Sequence, residues 1–115
     1  MTVHPISSRP ILLHGWKNAT RFSGSDGSDY VKLKILIENL GTRRAYNFEI
    51  QGAFYNQNGI SFNKETTSIS LLTAGEKKVV ELKVNVPKGI STTLKTKIYL
   101  DNEIVHDKES SSSFP

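Results

Sequence analysis

The sequence predicts an all-β sandwich, and three observations carry that prediction. Residues 30–41 alternate Val31, Leu33, Ile35 and Ile37 with Lys32, Lys34, Leu36 and Glu38, the period of a strand with one buried face. The same alternation returns in residues 79–86 and 94–100, with Gly, Asn, Asp and Pro clusters between the apolar runs. No window holds helical periodicity over three turns. About seven antiparallel strands at a spacing of roughly 8–12 residues make the sandwich immunoglobulin-like.

The elements follow in order. Pro10 suits the start of an edge strand, because it cannot donate to a ladder, and residues 11–16 form the first strand. Trp16, the sole tryptophan, is expected to cap one end of the core. Asn18-Ala19-Thr20 has the pattern of an N-glycosylation acceptor, which matters only in an exported protein. The turn formers of residues 23–29 lead into the strand at Tyr30. Asp26 and Asp29 lie in that loop without the ligand spacing of an EF-hand. A loop at residues 39–44 precedes a strand from Ala45, which is expected to turn Tyr46, Phe48, Ile50, Gly52 and Phe54 to one face. Gly52 in mid-strand predicts a bulge or a close neighbour. Asn58-Gly59 is the strongest hairpin signal. A short strand is expected over residues 60–62, then strands over 66–72, 79–86, 94–100 and 104–106.

In this arrangement the strands from Tyr30 and Val79 neighbour one another, with Lys32 and Lys34 able to face Glu81. Those from Ala45 and Leu94 form the other central pair, with Lys95 and Lys97 able to face Glu49. One domain is expected over residues 11–107, with a flexible arm over 1–10 and a disordered serine-rich tail over 108–115.

The chain has 115 residues, 37% hydrophobic and 23% charged, which suits a single globular core. Cysteine is absent, which excludes disulfides, thiolate metal sites and thiol nucleophiles. The net charge of +4 is mild for a nucleic-acid binder, whose basic residues gather on one face. Ile11-Leu12-Leu13 is far shorter than a membrane span or a signal-peptide core, so no membrane insertion is expected.

Little in the sequence points to catalysis. His4, His14 and His106 are too distant in sequence for a local ligand motif and are expected at the surface. No Gly-x-Ser-x-Gly elbow or phosphate loop is present. Asp101, Glu103, Asp107 and Glu109 form an acidic cluster expected to be a solvated turn. No cofactor, metal site or catalytic residue is expected, and the chain is not expected to be an enzyme. Trp16, Tyr46, Tyr55 and Tyr99 are the candidate protein interface, since aromatics are enriched at binding hot spots. The alternative is a polyanion or nucleic-acid site using Lys32, Lys34, Arg43, Arg44, Lys83, Lys95 and Lys97.

Five stretches together resemble a known family: residues 35–42 with Asn39-Leu40-Gly41, residues 45–50, residues 55–59, Leu72-Thr73-Ala74-Gly75-Glu76 with residues 79–82, and Asp101-Asn102-Glu103-Ile104. They are similar to the cell-adhesion-related domain of bacteria and archaea, CARDB, over residues 30–107. Dehydration-protein-like and FxLYD-like domains share the general layout. The resemblance implies an adhesive, spacer or assembly module at the cell surface or outside the cell, with a protein partner or self-association and no catalytic residues. A cysteine-free core of this size suits the cytoplasm as well as an oxidising compartment.

Overall fold

The computed structural model describes residues 10–24 and 28–109. These hold seven strands: β1 (Leu12–Phe22), β2 (Ser28–Asn39), β3 (Ala45–Tyr55), β4 (Glu65–Leu72), β5 (Lys77–Pro87), β6 (Thr93–Leu100) and β7 (Glu103–Glu109). All pairings are antiparallel. One sheet has the order β1-β2-β5 and the other β4-β3-β6-β7. The chain is a β-sandwich of the predicted class.

The core lies between the sheets. Val31, Leu33, Ile35 and Ile37 of β2 and Val80, Leu82, Val84 and Val86 of β5 face Phe48, Ile50 and Phe54 of β3 and Leu94 and Ile98 of β6. At Gly52 the sheets come close: an added Cβ would stand 3.1 Å from the Leu82 Cδ1 atom. The mid-strand glycine therefore marks a close neighbour in the opposite sheet.

Both predicted central pairings are present. Lys34 stands opposite Glu81, but Lys32 stands opposite Lys83. In the other sheet Glu49 stands opposite Tyr99 and Gln51 opposite Lys97, so Glu49 is diagonal to Lys97 and two rows from Lys95.

Several boundaries and faces differ from expectation. β1 runs on to Phe22, past a bulge between Trp16 and Asn18. Its second half carries no alternation because its inward positions, Ala19 and Arg21, stay exposed and are under no pressure to be apolar. Residues 60–62 form no strand. They make one bridge, Tyr55 to Ser61, in a loop where the Asn56 side chain accepts from the amides of Asn58 and Ile60. Tyr46 is 55% exposed rather than facing the core. Asn47 adopts a left-handed conformation (φ 50°), and the buried positions step from Ala45 to Phe48, three residues instead of two. β4 makes the same step opposite, from Leu72 to Ile69. The last strand is longer than residues 104–106 and reaches Glu109, through a bulge across from Ile98 and Tyr99.

The arm over residues 1–9, Asp26 and the tail over 110–115 lie outside the described residues. No helix in the described chain is long and apolar enough to cross a membrane.

Candidate functional site

Three groupings of side chains emerge, and the first was not expected from sequence. Alternation along β1 places Leu12, His14 and Trp16 inward, while β6 and β7 present Thr96 and His106 from the other sheet. The Trp16 indole Nε1 donates to Thr96 Oγ1 at 2.9 Å. Thr96 Oγ1 lies 2.6 Å from His14 Nε2, and His14 Nδ1 lies 2.6 Å from His106 Nδ1. The His14 backbone amide also donates to His106 Nδ1, at 3.1 Å. The two imidazoles meet edge to face, with centroids 4.6 Å apart. The Lys108 ammonium covers the Trp16 ring at 5.2 Å.

His14 is 6% exposed, so the expected surface histidine is buried. Burial, with repulsion from His106 and Lys108, pushes its pKa down to about 4. His14 and His106 are 92 positions apart in sequence, and the fold closes that distance by bringing β1 of one sheet alongside β7 of the other. The available sequence signal was the period-2 run Leu12, His14, Trp16, which put His14 on an inward face. Among the described residues, no three His, Asp or Glu side chains converge as a metal-ligand set.

The outer face of the β1-β2-β5 sheet is the second grouping. Phe22 and Tyr30 are cross-strand partners with rings stacked 5.3 Å apart. Lys32 reaches over Phe22 at 5.1 Å and Lys83 over Tyr30 at 4.2 Å. Lys34 lies one row along, beside Glu81. On the inward side, at the end of the same sheet, Asp29 binds the Gly24 amide at 3.1 Å, the Arg21 guanidinium at 2.9 Å and the Lys88 ammonium at 3.6 Å. The Gly24 amide, then Arg21, hold its carboxyl below the usual range.

The outer face of the second sheet is the third. Tyr55 lies under Lys95 and Lys97, at 4.8 and 5.7 Å from its centroid. Lys95 pairs with Glu109 at 3.8 Å, and Lys97 stands opposite Asp107. Tyr99 lies mid-sheet between Glu49 and Ile104, beside a shallow groove that Asn47, Gln51, Asp101 and Asn102 also line.

The four candidate interface aromatics are thus dispersed. Trp16 is half-buried between the sheets, Tyr99 lies mid-face, and Tyr46 and Tyr55 sit at opposite ends of β3, about 30 Å apart at 3.3–3.4 Å per residue. The seven candidate polyanion residues divide similarly. Lys32, Lys34 and Lys83 share one face, Lys95 and Lys97 the other, and Arg43 and Arg44 the loop between β2 and β3. Arg44 hydrogen-bonds with Tyr46, which raises its pKa further.

The motif positions have structural jobs. Asn39 is fully buried, and its Nδ2 donates to the carbonyls of Arg43 and Leu72 at 2.7 and 3.1 Å. Its Oδ1 accepts from the amides of Gly41 and Ile11 at 3.0 and 3.2 Å. Glu76 closes its own turn by accepting from the Thr73 amide at 2.8 Å and the Thr73 hydroxyl at 3.0 Å. These bonds hold the Glu76 carboxyl below the usual range.

The sequence matches a family as well as a fold: the CARDB family model matches residues 13–113. The chain belongs to the CARDB family. No curated protein matches it. Among solved structures, this CARDB domain superposes on a β-glucuronidase of glycoside hydrolase family 2 with a TM-score of 0.70 at 14% identity, covering 81% of this chain and 10% of that one. A putative β-galactosidase from Bacteroides fragilis gives 0.66 at 13%, covering 80% and 15%. A Bacteroides uniformis β-glucuronidase gives 0.63 at 14%, covering 90% and 13%. At such identities the likeness is one of fold. The CARDB domain spans about a tenth to a seventh of the length of these chains.

Proposed function

We propose that the chain is a non-enzymatic binding or spacer module of a cell-surface or extracellular assembly, taking a protein partner or a second copy along its sheet edges. CARDB membership over residues 13–113 is the observation that supports this most. The immunoglobulin-like neighbours, in which such a sandwich is a small part of a long chain, agree with an accessory role. β7 is the edge that best suits a partner. It closes one side of its sheet, and Ile104 and Val105 are 50% and 41% exposed. An edge strand offers main-chain hydrogen bonds to an added strand, with apolar side chains beside them for specificity.

The test is sedimentation of wild type and Val105→Lys, a charge on the edge being a device that discourages strand addition. The reading expects wild type to associate with itself or with a co-expressed native neighbour, and Val105→Lys to lose that association without a change in melting temperature. Association unaffected by the lysine would rule out the β7 edge.

The directly opposed Lys32 and Lys83 favour a second reading. Like charges face to face in a sheet are unfavourable, and neither makes an ion pair with a described residue. An anionic chain along that face would relieve the repulsion. On this reading Lys32→Glu with Lys83→Glu abolishes heparin binding, and wild-type binding weakens steeply with salt.

A further inference from the structure

The proton positions in the inter-sheet cluster follow from the groups that can only donate. The Trp16 indole is one, so Thr96 Oγ1 accepts from it. The His14 backbone amide is another, so His106 Nδ1 must present a lone pair. His14 Nδ1 lies 2.6 Å from that same atom and therefore carries the proton between them. His14 Nε2 is then the bare nitrogen, and it accepts the Thr96 hydroxyl proton at 2.6 Å. The proton of His106 falls on Nε2. In this arrangement each ring carries one proton, and the two groups that can only donate, the His14 amide and the Trp16 indole, set the direction of the chain.

An added proton fits nowhere in this chain. On His106 Nδ1 it meets two N–H groups, the His14 amide and His14 Nδ1–H. On His14 Nε2 it displaces the Thr96 hydroxyl proton and leaves a cation in a side chain 6% exposed. The charged groups around the pair do not compensate. From β7 come Lys108, which opposes a positive charge, and Asp107, whose favourable effect is the weakest of the four on His14. From β6 the inward neighbours Thr96 and Ile98 are neutral, Lys95 and Lys97 being on the outer face. β2 presents Ile37 directly opposite, with Glu38 at the rim of the groove that Leu13, His14, Gly15 and Leu36 line on the outer side. A metal ion between the two rings fits no better, because the His14 amide and His14 Nδ1–H share the single lone pair of His106 Nδ1.

We propose that the His14–His106 pair is an acid-sensitive clasp that holds β7 of one sheet against β1 of the other when neutral and releases that flank when protonated. The hydrogen bonds of the cluster tie the two strands together across the flank, and β7 is exposed along its length except at His106. Losing them frees β7 from β1, while β6 stays paired to β3, and opens the flank beside Trp16. This inference stands on the flank alone and is independent of the edge-binding reading.

The sole tryptophan lies inside the clasp and reports on it. Trp16 fluorescence is recorded from pH 7.5 to 4 with far-UV circular dichroism in parallel, and long-range imidazole ¹H–¹⁵N spectra fix the tautomers of the wild-type protein. The expected result is protonated Nδ1 on His14 and protonated Nε2 on His106 at pH 7.5. Trp16 emission then moves to the red between pH 6.5 and 4 while the sheet signal persists, and amide exchange in β7 accelerates at least tenfold. In His106→Asn, whose side-chain oxygen accepts from the His14 amide without titrating, the transition vanishes or moves by at least one pH unit. Unchanged emission and tautomers down to pH 4 in wild type would overturn the proposal, as would an identical transition in His106→Asn.

Discussion

Asn39 uses all four of its hydrogen-bonding positions, and each ties down a different piece of backbone: residues 11, 41, 43 and 72. Its own amide and carbonyl bind Glu76 and Gly75, so one residue joins the approach to β1 at Ile11 to two turns. Removing it leaves buried groups unpaired at about 1–3 kcal/mol for the worst of them. Asn39→Ala is expected to lower stability by about 3 kcal/mol, read from urea unfolding. Asn39→Asp is expected to be as severe, since a carboxylate cannot donate to the carbonyls of Arg43 and Leu72. His14 carries a second prediction at this scale. Its folded pKa of about 4 lies below the ordinary 6.5, so between those values the unfolded chain binds more protons. Stability is then fully present above pH 6.5 and is lost as pH falls toward 4. At about 1.4 kcal/mol per unit the loss is on the order of 2–3 kcal/mol. Urea midpoints of wild type should fall over that window, and those of His14→Gln should fall distinctly less, their remaining slope near pH 4 coming from carboxylates such as Glu76 and Asp29.

Among the elements, strands with a buried face were legible in sequence and strands without one were not. β2, β5 and β6 alternate because every second residue meets the core. The second half of β1 and most of β7 are exposed on both faces, so no period was imposed on them. The turn of Tyr46 to solvent was hidden for another reason: it depends on a left-handed Asn47, which residue type permits but does not announce. The clasp escaped notice because it joins strands of different sheets, a relation that local spacing does not encode. The β6–β7 hairpin offers a prediction. Its Asp101 and Asn102 have φ of 53° and 65°, the pair of positive values of a two-residue turn matched to strand twist. Asn102→Gly is expected to stabilise by a few tenths of a kcal/mol to about 1 kcal/mol, and Asn102→Val to destabilise by about 1–2 kcal/mol. Thermal unfolding of both variants checks the order.

For the whole molecule, the charge distribution weighs on function. Lysines of the β4-β3-β6-β7 sheet face Asp107 and Glu109, and Arg21 and Lys88 converge on Asp29. Lys32 and Lys83 lack such partners among the described residues, so a polyanion would be confined to one face. The edges run along both sheets, and β7 carries exposed apolar residues. A protein-binding module therefore predicts association that is insensitive to salt, whereas a polyanion binder predicts the reverse. The direct measurement is the mass in solution by light scattering, at low and high salt, of the chain alone and mixed with a duplex oligonucleotide. The module account predicts a defined oligomer that survives high salt and ignores the oligonucleotide. A monomer that gains mass with the duplex only at low salt would contradict it.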